Sequence, residues 1–199
     1  YEWTALLREK GTAQVHVSYR HETPQFSEAH WGWVMDVVNT IGNHPTWFRE
    51  LSPEGKDEYR YRLWAEGRLK LEPWLDARIH QENVTLYPQT QLVSTEVTPQ
   101  NSLKIQLSSG EEIEVDHVIM ATGYKVETSQ LPFLHPDLLA SLHCTNGFPC
   151  LDAHFQSNIP GLYFTSLMAG QDFGPFFGFT IAVRTSAKLI GQSLLEKSN

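Results

Sequence analysis

The 199 residues suffice for one ordinary domain or two small ones. Hydrophobic residues make up 41% and charged residues 19%, a balance that permits a buried core and argues against disorder. The formal net charge of -8 and a pI near 5.5 argue against general nucleic-acid binding, which needs basic surface to neutralise phosphates, and leave room only for a local basic pocket.

Residues 1 to 10 read as an amphipathic helix, with Trp3, Leu6 and Leu7 on one face and Gly11 just past its end. Residues Gln14 to Tyr19 form a β-branched run typical of a strand, and Arg20 to Pro24 a loop. This order is half of a βαβ unit without its first strand. Trp31 to Ile41 is apolar and predicted helical. Ser52 to Leu71 is charged and helical, with Ser52 as N-cap and Pro53 at the first helical position. Short strands follow at Val84–Leu86, Leu92–Val97, Leu103–Leu107 and Glu112–Val115. Ser108-Ser109-Gly110 joins the last two as a hairpin. Val118 to Ala121 is a continuous apolar run, as expected of a strand buried in a parallel sheet. Thr128 to Pro149 is irregular, Gly161 to Ser166 reads as a strand, and Pro175 opens a final helix running to about Leu195.

No apolar run is long enough to cross a bilayer, since Arg184 and Lys188 interrupt the stretch from Thr180 to Ile190. Tyr1-Glu2-Trp3 has neither the basic start nor the apolar core of a signal peptide. Cys144 and Cys150 lack CxxC spacing and read as two ordinary thiols of a reducing cytoplasm. The nine histidines are scattered without ligand spacing, so no metal site is expected. The tryptophans at 31, 33, 47, 64 and 74 suit either a substrate entrance or a packed core. The absence of Met at position 1 and the start inside a helix predict a piece of a longer protein.

Three constellations carry chemistry. In a dinucleotide-binding βαβ unit, the residue after the second strand meets the adenosine ribose, and a basic residue there favours a 2′-phosphate. Arg20 and His21 hold that position; Arg20 reads equally as a solvated charge at a strand end. Second, Ala121-Thr122-Gly123-Tyr124 follows the apolar run, with small residues for close backbone approach and a glycine open to positive φ. Taken by its periodicity, this is a core strand ending in a turn. Third, Gly170 to Phe179, with Asp172-Phe173-Gly174-Pro175-Phe176-Phe177 at its centre, leads into the final helix, whose free amides and dipole suit negative charge. Such a segment serves equally as an aromatic-packed helix start.

The segment Asp116 to Tyr124 resembles the ATGY motif of flavin-containing, N-hydroxylating and Baeyer–Villiger monooxygenases. Asn158 to Phe164 resembles the IPGLYF segment before the flavin-contacting helix, and Tyr1 to Arg20 resembles the helix and second strand of the NADP domain. The resemblance covers nearly the whole chain in order. It implies an α/β fold: a partial Rossmann-like NADP-binding domain over 1–117, then the C-terminal part of an FAD-binding domain over 118–199. It implies a flavin-dependent monooxygenase in which NADPH reduces FAD and a small organic substrate is oxygenated. The cofactor would do the hard chemistry, so no catalytic side chain is expected. Arg20 and His21 would meet NADP, and Ala121 to Tyr124 would line the domain junction. Asp172 to Phe179, including the run Asp172 to Phe177, would line FAD, the phenylalanines keeping water out. Where relatives carry Gly-Asp, this chain has Ser166-Leu167-Met168, leaving Asp172 as the carboxylate at hand for the ribityl chain. Two alternatives stand beside this. One is a flavin disulfide reductase, whose returning strand has a different ending from Thr-Gly-Tyr. The other is a non-catalytic interaction fragment, whose exposed apolar surface would drive self-association or pairing with a missing N-terminal half. Neither a membrane nor a nucleic-acid partner is expected.

Overall fold

A computed structural model describes residues 1–196, which divide into two compact units. Residues 1–29 and 67–123 form the first, and residues 30–66 with the C-terminal part from 124 form the second. The helical segment 30–66 therefore packs with the C-terminal residues, whereas chain order grouped it with the first 117. Its apolar face finds its partners there, as described below.

In the first unit, helix α1 (Glu2–Glu9) precedes strand β1 (Val15–Ser18) and the short β2 (Gln25–Phe26). Helix α1 turns Ala5 inward, where it is fully buried against Leu75 and Ile79. Gly11, at φ +90, follows the end of the helix in a conformation that glycine takes without strain.

The second unit is entered next, through α2 (Gly32–Asn43), α3 (Trp47–Glu50) and α4 (Pro53–Arg68). The Ser52 hydroxyl accepts the Gly55 amide at 3.2 Å, so the expected cap is present. The expected helix stops at Arg68, and Lys70–Leu71 is instead strand β3, paired in parallel with β2.

Back in the first unit, a 3₁₀ turn (Pro73–Leu75) leads into α5 (Asp76–Ile79) and β4 (Val84–Tyr87). β4 pairs with β1 in parallel, from Val15 opposite Val84 to Ser18 opposite Tyr87. Strands β5 (Leu92–Val97), β6 (Leu103–Leu107) and β7 (Glu112–Val115) form an antiparallel meander. Ile105 and Leu107 of β6 are buried, and Gly110 takes φ +93 in the β6–β7 turn. The alternation of these strands predicted their ladder correctly.

Three expected elements differ. Val118 to Ala121 is not a strand, and Ile119 and Met120 are 58% and 69% exposed. Among the described residues no strand pairs with this run, and an extended segment without a ladder neighbour has no means of satisfying its backbone groups as a sheet. Gly161 to Ser166 makes a single bridge, Gln156 to Tyr163, because the turn at Ile159 to Gly161 and the positive φ of Ser166 bend the chain at both ends. The final helix α8 begins at Val183, not Pro175. Two 3₁₀ turns, Pro175–Gly178 and Thr180–Ala182, precede it, separated by the extended backbone of Phe179.

The rest of the second unit holds more order than its composition suggested: a 3₁₀ turn at Thr128–Gln130, helix α6 (Pro136–Ser141), and the small hairpin β8 (Cys144–Thr145) with β9 (Phe148–Pro149). A 3₁₀ turn at Ser166–Ala169 leads into α7 (Gly170–Phe173). The core unites Val34, Val37, Val38 and Ile41 of α2 with Phe48, Phe155, Phe173, Phe176, Phe177 and Leu189. The α2 positions repeat with helical spacing, so one stripe is buried. Phe155 and Phe173 stack with centroids 3.7 Å apart.

Candidate functional site

Each unit carries one candidate site. In the first, β1 and β4 run in parallel, so their carboxyl ends lie side by side. The loops leaving those ends are tied together: Thr90 N–H donates to Tyr19 O at 2.9 Å, Gln89 N–H to His21 O at 3.0 Å, and the Ser18 hydroxyl to Thr90 O at 2.7 Å. Ligands of open α/β sheets lie outside such carboxyl ends. Arg20 is there and exposed. His21 is half-buried, with Nδ1 2.7 Å from Glu22 O and its ring 5.2 Å from Tyr19. Tyr1 packs edge-on against Tyr19 at 5.5 Å, and burial pushes its phenol pKa well up. Behind them His16 Nδ1 lies 3.1 Å from the Tyr87 hydroxyl, and burial holds its imidazole below the ordinary 6.5. The result is a basic, aromatic rim on an acidic chain.

The Ala121–Tyr124 segment is exposed throughout, and Tyr124 is 96% exposed. Gly123 has φ +85, and a Cβ there would meet nothing within 4 Å. It is glycine for its backbone angle, not for space. The chain passes from the first unit to the second between Gly123 and Tyr124.

In the second unit, Asp172 to Phe177 divides into two roles. Phe173, Phe176 and Phe177 are buried in the core: Phe173 and Phe177 pack on each other and on Phe155, and Phe176 packs on Trp33 and Tyr59. Asp172 is held from two sides: Arg49 Nε donates to Oδ1 at 3.2 Å and Leu151 N–H donates to Oδ2 at 2.8 Å. Arg49 Nη2 also donates to Leu151 O at 2.6 Å. This carboxylate locks α7 to α3 and to the 151 turn. Gly174 stands at φ +93 with a hypothetical Cβ 3.0 Å from Phe48, so both angle and space require glycine.

Beside this turn lies a cleft of about 350 Å³ at the start of α8, lined among others by Thr165, Ser166, Phe177, Gly178, Phe179 and Thr180. No charged side chain lines it, and hydroxyls provide most of its polar groups. A Cβ on Gly178 would lie 2.6 Å from Leu167 Cδ2, so this glycine lets the loop at 167 close on the turn. Ser166 stands at φ +61. Of the residues lining this cleft, Phe177, Gly178 and Phe179 belong to the expected segment 170–179, whereas Thr165, Ser166 and Thr180 lie outside it. The Gly174-Pro175 pair and Gly178 were the available signals, because each breaks a helix that apolar spacing alone runs through. Among the described residues no cluster of histidine, cysteine or acidic side chains could hold a metal ion. Likewise, none of the described helices is long and apolar enough to cross a membrane.

Comparison with known proteins follows from this geometry. No curated protein matches the chain by sequence. Among solved structures, the chain is similar to the reduced form of ornithine hydroxylase (PvdA) from Pseudomonas aeruginosa, at 15% identity and TM-score 0.63, covering 97% of this chain and 49% of that one. It is similar to L-lysine 6-monooxygenase from Pseudomonas syringae, at 15% identity and TM-score 0.58, covering 98% and 50%. It is also similar to DfoA, the cadaverine monooxygenase of desferrioxamine biosynthesis from Erwinia amylovora, bound to FAD, at 11% identity and TM-score 0.61, covering 96% and 54%. At such identities the likeness is one of fold, and it bears out the α/β architecture expected of half a two-domain flavoprotein. The chain spans about half the length of these solved relatives. Residues 61–166, more than half of the 199, match one sequence family, and by that match the chain belongs to the pyridine nucleotide-disulphide oxidoreductases.

Proposed function

We propose that this chain is part of an FAD- and NADPH-dependent monooxygenase acting on a small organic substrate. The observation that carries the reading is the uncharged cleft at the start of α8, on a fold shared with three monooxygenases, one of them solved with FAD.

The residues present fit a flavin. A glycine at 178 keeps the turn thin, the hydroxyls of Thr165, Ser166 and Thr180 offer donors, and no carboxylate repels negative charge. Helix α8 is 14 residues long, so the amides of its first turn stabilise negative charge arriving at its N-terminal end. Phe177 closes the cleft from the core side and excludes water. Phe173, Phe176, Gly174 and Pro175 form the backing of that wall, and Asp172 holds it in place through Arg49. When bound, the flavin supplies the electron transfer and oxygen chemistry. Ala121 to Tyr124 belongs to the same cofactor-binding reading, with Gly123 providing the turn. At the other unit, Arg20 would pair with the 2′-phosphate of NADP, and His21 would support it. A cytoplasmic setting agrees with the two unpaired thiols. The exposed Ile119, Met120, Tyr124 and Phe133 would be covered by further sequence or by a second copy.

The family name favours one second reading, a flavin disulfide reductase. Cys144 and Cys150 are separate thiols here, so the redox pair would lie in other sequence.

The test uses the protein with its remaining sequence. A yellow protein that oxidises NADPH with oxygen and a small organic substrate supports the reading. Replacing Arg20 with Ser is expected to raise the KM for NADPH by about tenfold while leaving that for NADH unchanged, the scale of one charge-assisted phosphate contact. A colourless protein that oxidises no NADPH would sink both enzyme readings and leave the interaction fragment. NADPH-dependent reduction of a disulfide without oxygen uptake would favour the reductase.

A further inference from the structure

Trp33 packs against the core, yet neither the core nor the proposed cofactor cleft uses its indole N–H or the Arg62 guanidinium on its ring. Trp33 lies on α2 with its ring edge-on to Phe176, centroids 5.2 Å apart. Its indole nitrogen is closed to solvent and donates to nothing among the described residues. A buried donor without an acceptor costs about 1–3 kcal/mol, and native proteins leave few of them. Arg62 lies on α4 with its guanidinium carbon 3.9 Å from the Trp33 ring centroid.

The position of Arg62 is informative because other partners were within helical reach. Glu58 lies one turn before it and Glu66 one turn after. Glu66 receives the His30 amide at 3.0 Å. Arg49, Arg60 and Arg78 all sit in ion pairs, with Asp172, Asp57 and Glu9. Arg62 forms no ion pair among the described residues, in a chain that carries a net charge of -8. Stacking on an aromatic face occupies the flat side of a guanidinium and leaves its N–H fork available at the edge. The same indole therefore brings together two sets of donors, one in the ring plane and one above it, with no acceptor for either.

We infer that Trp33 and Arg62 form a clamp for the carboxylate of a small organic acid. One carboxylate oxygen accepts the indole N–H, and the other accepts from the guanidinium fork. A planar, two-oxygen anion matches this donor set better than a spherical ion. Arg62 is the exposed group on the ring and Phe176 is fully buried, so Arg62 is the one that swings aside to admit the ligand. The clamp stands independently of the flavin reading, because its readout is the indole itself.

The experiment follows the Trp33 indole N–H resonance by ¹H–¹⁵N NMR on the whole chain, identified as the signal lost in Trp33→Phe. Succinate is added at constant ionic strength, with chloride and inorganic phosphate as parallel arms. The expected result is a saturable downfield shift with succinate only. Arg62→Gln should weaken that saturation by about tenfold or abolish it, and Arg62→Lys should recover only part, since an ammonium keeps the charge and loses the fork. Arg62 is exposed, so both variants are expected to melt with the parent, which thermal unfolding checks. Four outcomes each overturn the clamp: no shift with succinate, an equal shift in Arg62→Gln, an equal shift with phosphate, or a signal already at its hydrogen-bonded position before any anion is added, which would identify a trapped water as the acceptor.

Discussion

Ser166 is a serine in a backbone region that favours glycine, at φ +61, on the lip of the cleft. The left-handed conformation costs an L-residue roughly 1–2 kcal/mol, while glycine loses more freedom on folding. The first effect is the larger, so Ser166→Gly should raise the urea midpoint, by about 0.5 kcal/mol of stability. A fall instead would show that the hydroxyl does something the backbone angle does not. His16 offers a second residue-level test. Burial depresses its pKa in the folded state, so between that value and the ordinary 6.5 the unfolded chain binds the extra proton. Stability tied to this group is therefore undiminished above 6.5, falls as pH drops through 6.5, and levels off below the depressed folded value. Urea unfolding between pH 7.5 and 5 should show this loss, and His16→Gln should flatten that part of the profile.

At the scale of elements, the cap of α4 is the cleanest case. The Ser52 hydroxyl accepts the Gly55 amide, and the same hydroxyl, after a backbone amide, holds the Glu54 carboxyl below its usual range. Ser52→Ala is expected to cost about 1 kcal/mol, measurable as a lower melting temperature with no change in folded spectra. Such local features were legible: a serine before proline, a glycine between two alternating runs, an apolar helical stretch over Trp31 to Ile41. Each depends on neighbours a few residues away. The errors lie where the deciding partner is remote. Val118 to Ala121 has strand composition and no ladder neighbour, and composition cannot report a neighbour. The start of α8 was misplaced because apolar spacing continues through Phe176, Phe177 and Phe179, whereas Gly174, Gly178 and the extended Phe179 break the helix. The site followed the same rule. The placing of Arg20 and His21 after the carboxyl end of β1 was legible from the strand before them. Asp172 gave no sign in sequence of Arg49, which lies 123 residues away.

At the scale of the whole molecule, chain order and packing disagree. The path leaves the first unit after Ala29, returns at Gly67 and leaves again after Gly123. Neither unit is a contiguous stretch. A chain ending at residue 117 would therefore keep α2, α3 and α4 but lose Phe155, Phe173, Phe176, Phe177 and Leu189, which pack against them. That truncation should bind a hydrophobic dye and lose near-ultraviolet circular dichroism while the full chain does neither. Joining 30–66 directly to 124–199 should restore a cooperative melt, since it keeps every member of that core.

The interleaving also sets a timetable on the ribosome. The stripe of Val34, Val37, Val38 and Ile41 is synthesised early, yet its packing partners leave the tunnel only after the whole first unit has been made. At an elongation rate of roughly 5–20 residues per second, those side chains stay uncovered for several seconds in each round of synthesis. During that interval the stripe is apolar surface without its packing partners, the condition under which nascent chains self-associate. The exposure ends when Phe155 to Leu189 arrive and pack on it.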